Sequence, residues 1–205
     1  MMPVIEVVWR HLLGNAKEGR RRWPSITALA AELRLATSTT HRSLAHPVEI
    51  GAIEVGSIDG LQVLDPARLL LLLAAHRHVQ RDVARRFWVA ASAADVEAAA
   101  ISRQVVLGGF GAVIARLGTN RIADYTRVLF YGEPKLRGLA TAAPGEGTEV
   151  WVAEPDAWLE RYGRTTPLAH AYADLFSMPG WQAARFIEHL DPRSVATNDE
   201  PLLLV

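Results

Sequence analysis

The 205-residue sequence predicts an α+β protein. Three observations carry that expectation. Apolar residues recur at helical spacing through most of the first 50 positions. After Gly51 the period changes from helical to extended. Beyond residue 90, alanine-rich helical stretches alternate with short apolar runs bounded by glycine and proline. Half of the residues are hydrophobic and 21% are charged, a balance that supports packed cores in a chain of this length.

Val4, Val7, Val8, His11 and Leu12 place an amphipathic helix over 3–15, ended by Gly14-Asn15. A basic loop follows with Lys17, Arg20, Arg21 and Arg22. Ser25 is placed to cap a second helix, Ile26 to Leu33. The joint Arg34-Leu35-Ala36 leads to a third helix, capped by Thr37 or Ser38 and running to about Ala45, with Pro47 forbidding much more. Ala52 to Val55 and Leu61 to Leu64 flank the turn Gly56 to Gly60 and form a hairpin. Asp65 and Pro66 then start a long helix that runs to about Arg86, with Arg77, Arg81, Arg85 and Arg86 on a solvated face. Helix, helix, helix, hairpin, helix is the layout of a winged helix-turn-helix.

A separate mixed α/β domain is expected after it. Helices are read at Ala93–Ala100, Ala112–Leu117, Pro155–Arg161, Pro167–Met178 and Trp181–Leu190, and strands at 104–107, 126–131 and 148–152. The chain ends in a polar stretch from Asp191 and an apolar tail, Leu202 to Val205. Charge divides in the same way. Residues 1–90 carry 12 Lys+Arg and 8 Asp+Glu, and residues 91–205 carry 10 and 14, so balances of +4 and −4 cancel in the whole. The expected division is 1–85, a DNA-binding domain, and 90–205, an α+β domain.

Several function classes fall away. The chain has no cysteine, which removes disulfide scaffolds, thiol catalysis and cysteine metal sites and fits a reducing cytoplasm. The longest apolar run, Leu69 to Ala75, is too short to span a bilayer, and Met1-Met2-Pro3-Val4 lacks the basic start of a signal peptide. A cytoplasmic protein without membrane contact is expected. His76 and His78 stand two apart, which points them away from each other on a helix, so no metal site is expected. Gly109-Phe110-Gly111 resembles a dinucleotide turn, but Ile114 and Leu129 stand where a small and an acidic residue are needed. Gly108-Gly109 before Asp124 suggests a nucleotidyltransferase, but Thr126 replaces the second acid that two-metal chemistry requires. With no catalytic constellation, no enzyme activity and no cofactor are expected. Trp151, Trp158 and Trp181 are read as core packing.

The third helix carries the expected DNA contacts: Ser38, Thr39, Thr40, His41 and Arg42. Hydroxyls donate to phosphates or base edges, and a guanidinium fits guanine bidentately. Arg20, Arg21 and Arg22 add salt-dependent backbone affinity. Asp59 at the wing tip, where no base stands, argues against minor-groove reading by the wing.

Three segments resemble one known family. They are Val106-Leu107-Gly108-Gly109-Phe110-Gly111-Ala112, the strand Glu149-Val150-Trp151-Val152, and Pro167-Leu168 through Tyr172-Ala173-Asp174-Leu175 to Pro179-Gly180-Trp181-Gln182-Ala183-Ala184. Together, behind a winged helix, they are similar to AbiEi-type antitoxins. The resemblance implies a protein that binds its own promoter as duplex DNA and represses the operon. It also implies that the C-terminal domain counteracts a cognate nucleotidyltransferase toxin of the AbiEii type, without need of a stable complex. Asp174, Trp181 and Glu188 are the candidate toxin-neutralising residues. The alternative is a one-component regulator whose second domain senses a small molecule.

Overall fold

The structure, a computed structural model, describes residues 4–56, 59–100, 105–118 and 122–197. It is a mixed α+β fold. Helix α1 (Val4–Lys17) buries Val7, Val8, Trp9, Leu12, Leu13 and Ala16, the stripe its periodicity predicts. A two-residue strand, β1 (Arg22–Trp23), occupies the basic loop, where no strand is expected. Helix α2 (Ile26–Leu33) starts at Ser25, whose side chain accepts from the Ala28 amide, and ends on Arg34 in the left-handed region.

Helix α3 (Thr37–Glu49) runs past Pro47, against expectation. Proline cannot donate to the carbonyl four residues back, which here belongs to Ser43. Trp9 Nε1 of α1 donates to that carbonyl instead, at 2.6 Å. A tertiary hydrogen bond thus replaces the missing helical one and lets α3 continue. The cap also differs: the N-cap is Ala36, with no side-chain hydrogen bond, and Thr37 is already helical.

Strands β2 (Ile53–Gly56) and β3 (Gly60–Val63) form the expected hairpin, and β1 adds to β3, giving the antiparallel order β1-β3-β2. Ser57 and Ile58 of the turn lie outside the described residues. Gly60 has φ +72°, and a Cβ there would stand 2.2 Å from the Trp23 carbonyl oxygen, so this turn requires glycine.

Helix α4 (Pro66–His76) is capped by Asp65 and ends ten residues before the expected Arg86. A short helix, α5 (Val79–Asp82), and strand β4 (Val83–Val89) take the rest. Arg77 is the reason for the break. It is buried rather than solvated, and its guanidinium holds Asp174 at 3.0 Å, Glu6 at 3.3 Å, the Tyr131 hydroxyl at 2.9 Å, and Asp82. Burial disfavours the charge, but the negative groups around it outweigh that cost and raise its pKa.

The second sheet has the order β5-β6-β8-β4-β7, from β5 (Val106–Gly108), β6 (Arg127–Tyr131), β7 (Thr141–Ala142) and β8 (Thr148–Ala153) with β4. β6 and β8 run parallel and the other neighbours antiparallel. Alternation gives the sheet two apolar faces. Val128, Phe130, Val150 and Val152 pack with helix α6 (Ala93–Ala99). Leu129, Tyr131, Trp151 and Ala153 join the larger core with helices α7 (Gly109–Leu117), α8 (Leu168–Ser177), α9 (Trp181–His189) and α10 (Pro192–Ala196). Between Pro155 and Arg161, where a helix is expected, there is one 3-10 turn, Leu159–Tyr162. Gln104 and the Leu202–Val205 tail lie outside the described residues.

The expected boundary at 85–90 falls inside β4, a strand of the second sheet. The larger core is continuous across it, from Val7, Leu69 and Leu73 to Leu168, Ala171 and Val195. Arg10 of α1 adds a two-pronged ion pair to Asp156, both contacts 2.8 Å. The two halves are therefore joined by packing and by buried charge.

Candidate nucleic-acid interface

The geometry of α3 separates its residues into two rows. Thr40, Ser43, Leu44 and Pro47 face inward at i, i+3, i+4 and i+7. Thr37, Ser38, His41, Arg42 and Ala45 face solvent. Thr40 is fully buried and its hydroxyl donates to the Ala36 carbonyl at 3.2 Å. Its place among the expected DNA contacts is therefore corrected: it holds the helix to the core. Thr39 is half-buried, and its carbonyl accepts from the Ser43 hydroxyl at 2.9 Å. Ser38, His41 and Arg42 remain as one exposed row, with Arg42 Nε donating to the Ser38 carbonyl at 3.4 Å.

The three loop arginines do not act alike. Arg20 makes a two-pronged contact with Glu32 of α2, at 2.8 Å twice, and lies 4.8 Å over the Trp23 ring. Glu32 also accepts from Trp23 Nε1 at 3.1 Å and meets His11 at 3.0 Å. Burial works against ionisation of Glu32, yet its hydrogen bonds from Arg20 and Trp23 win and hold its carboxyl below the usual range. His11 is pushed down by burial, with Glu32 opposing. Arg20 is thus tied to α2, whereas Arg21 and Arg22 are exposed, on and beside β1. Glu32 is a partner that the sequence reading missed, since only the folded loop brings Arg20 to it across 12 positions.

The hairpin presents Glu54 and Asp59 to solvent, so it offers carboxylates rather than bases to a polyanion. From 17 to 49 the chain carries six Lys+Arg against three Glu, and of the three Glu32 is neutralised by Arg20 and Glu49 meets His46 at 3.2 Å.

The candidate toxin-neutralising residues are not brought together. Asp174 is fully buried, bonded to Arg77 and to the Tyr131 hydroxyl at 2.7 Å, so it is a core ion and not a surface contact. Beside it, burial drives the His170 pKa well down, leaving a neutral ring whose Nε2 meets the Tyr131 hydroxyl at 3.0 Å. Glu188 is exposed and meets Arg185 at 3.5 Å. Trp181, read as core, is 67% exposed at the start of α9. Trp151 is buried as expected, and Trp158 is partly buried.

His76 pairs with Glu6 at 3.2 Å, and His78 is exposed. Among the described residues no group of three His, Asp or Glu could hold a metal ion, and no helix is long and apolar enough to cross a membrane. No family model, curated protein or solved structure matches this chain.

Proposed function

We propose that this chain is a DNA-binding repressor built on an N-terminal winged helix-turn-helix. One observation carries the reading: α1, α2 and α3 are followed by the β2–β3 hairpin and then by α4, the helix, helix, helix, hairpin, helix layout of that unit, and β1 adds to the hairpin at β3. The outward row of α3, with Ser38, His41 and Arg42, enters the major groove. Arg21 and Arg22 supply phosphate contacts. The test is a band shift on the promoter of the protein's own operon. Alanine at Ser38, His41 and Arg42 together abolishes specific retardation, and unchanged binding refutes the assignment. Arg42→Ala alone costs about 1–3 kcal/mol at the operator if it reads a base.

The resemblance to AbiEi-type antitoxins supports a second role, neutralisation of an AbiEii-type nucleotidyltransferase toxin by residues beyond β4. With Asp174 in the core, the surface offered for that role is the outward face of α9, where Trp181, Arg185 and Glu188 recur at i, i+4 and i+7. Growth rescue of cells expressing the adjacent toxin tests it. The full chain restores growth, and Trp181→Ala weakens rescue while promoter binding persists. Rescue undiminished in that variant removes α9 from the role.

One feature favours the alternative of a ligand-sensing second half. A cleft of about 510 Å³ is lined by Ser92, Glu97, Ile114, Asp124, Tyr125 and Thr148. A metabolite that copurifies and releases the operator would decide for that reading.

A further inference from the structure

We infer that Arg34, at the joint between α2 and α3, is a phosphate-contacting residue of the DNA interface, held in a strained backbone conformation for that purpose. The inference rests on the DNA-binding reading and adds to it a residue outside the recognition row and the basic loop.

Arg34 has φ 52° and ψ 40°, and among the described residues it is the one non-glycine with positive φ. An L-residue with a long side chain is disfavoured there, because its Cβ crowds the following carbonyl. Glycine is the residue that closes a helix in this conformation without strain. The backbone itself gains nothing from arginine. The Arg34 amide bonds to the Ala31 carbonyl at 3.1 Å and the Leu35 amide to the Ala30 carbonyl at 2.9 Å, bonds that glycine would make equally. The side chain is exposed and has no hydrogen bond or ion pair to the described residues. Arg20 is bound to Glu32 and Arg68 to the Ile50 carbonyl and Asp65, whereas Arg34, like Arg21 and Arg22, leaves its guanidinium to solvent; what sets Arg34 apart from those two is its backbone conformation. A free guanidinium at a position that prefers glycine, three residues before the first hydroxyl of the α3 row at Thr37, is placed to meet the DNA backbone where α3 begins.

The experiment uses the full chain and a 30-base-pair duplex enriched by the wild-type protein from a random library. Arg34→Gly is expected to leave the thermal midpoint unchanged or to raise it by about 2–4 °C, since it removes strain. The same variant should bind the enriched duplex and an unrelated duplex about 5–10-fold more weakly, with the slope of log K against log salt shallower by about 1. Arg34→Lys, which keeps the charge, retains the slope. Wild-type affinity in Arg34→Gly overturns the assignment. A lowered midpoint with affinity retained also overturns it, and makes Arg34 a cation serving the C-terminus of α2. Failure of the wild-type chain to enrich or bind any duplex refutes the DNA-binding reading itself, and this assignment with it.

Discussion

Arg77→Met removes the cation on which the two halves of the molecule converge. The side chain is 1% exposed, and its partners Glu6 and Asp174 are 2% and 0% exposed. Methionine keeps most of the volume, so the change is electrostatic more than steric. Glu6 would keep His76 at 3.2 Å, and Asp174 the Tyr131 hydroxyl at 2.7 Å and the Gly109 backbone amide, none of them a fixed cation. Breaking a buried pair by deleting one partner costs about 3–5 kcal/mol, because an uncompensated charge stays behind. That is about a third of the total stability of a typical domain. The pH dependence has a definite sign. Burial already raises the Glu6 and Asp174 carboxyl pKa values, and Arg77 opposes it in both. Without Arg77 the folded values rise further. An acid with a raised folded pKa contributes stability that is present below its unfolded value, about 4, and is lost as pH rises through its folded value. The variant should therefore lose more stability at pH 8 than at pH 5. Urea titrations followed by fluorescence of buried Trp9 and Trp151 measure both quantities. A loss under about 1 kcal/mol, or equal losses at the two pH values, would refute the argument.

Other expectations follow from single contacts. Trp9→Phe strands the Ser43 carbonyl that Pro47 cannot serve and also leaves a small void, so it should cost at least about 1–3 kcal/mol in chemical denaturation; a loss near zero would mean that the hydrogen bond does not sustain α3. Gly60→Ala combines a positive φ with a clash against the Trp23 carbonyl, so it should cost at least about 2 kcal/mol and disorder the hairpin amides in NMR spectra. Glu97, whose pKa is raised by burial against a hydrogen bond from Tyr125 at 2.8 Å, gives a second pH test. Its raised pKa means that stability is present below the unfolded value and lost as pH rises, so Glu97→Gln should gain stability at pH 8 and none at pH 4; a gain independent of pH would count against it. Finally, the continuous core predicts one calorimetric transition for the whole chain, and two resolved transitions would support the division at 85–90 instead.

The elements that could be read from sequence are those whose cause is local. Ser25 and Asp65 cap helices at the residues that their side-chain chemistry selects, and the hairpin pairs Ile53 with Val63 as its alternation requires. The elements misread have distant causes. Leucines followed by Arg77, Arg81 and Arg85 at i+4 spacing describe a helix with a charged stripe. Only Glu6 and Asp174, 71 and 97 positions away, turn Arg77 inward and end the helix. Strand β1 is two residues long and exists through its bonds to β3. The helix through Pro47 needs Trp9, 34 positions from the carbonyl that it serves.

The site residues divide differently, because two of the corrections had a signal in the sequence. Thr40 precedes Leu44 and Pro47 by four and seven positions, the spacing of one helical face, so the period that marks Leu44 as core marks Thr40 as well. Asp174 sits in Leu168 to Leu175, a stretch of alanine, leucine, histidine and tyrosine with no polar face. A helix apolar all round is buried on every side, and a carboxylate in it must find a buried cation. Of the two buried arginines of the first half, Arg10 is taken by Asp156, and Arg77, behind five leucines, is the cation that Asp174 meets. Asp174 therefore tells of the joint between the two halves rather than of a partner. What helical phase leaves outside is Ser38, His41 and Arg42 on α3, and Trp181, Arg185 and Glu188 on α9.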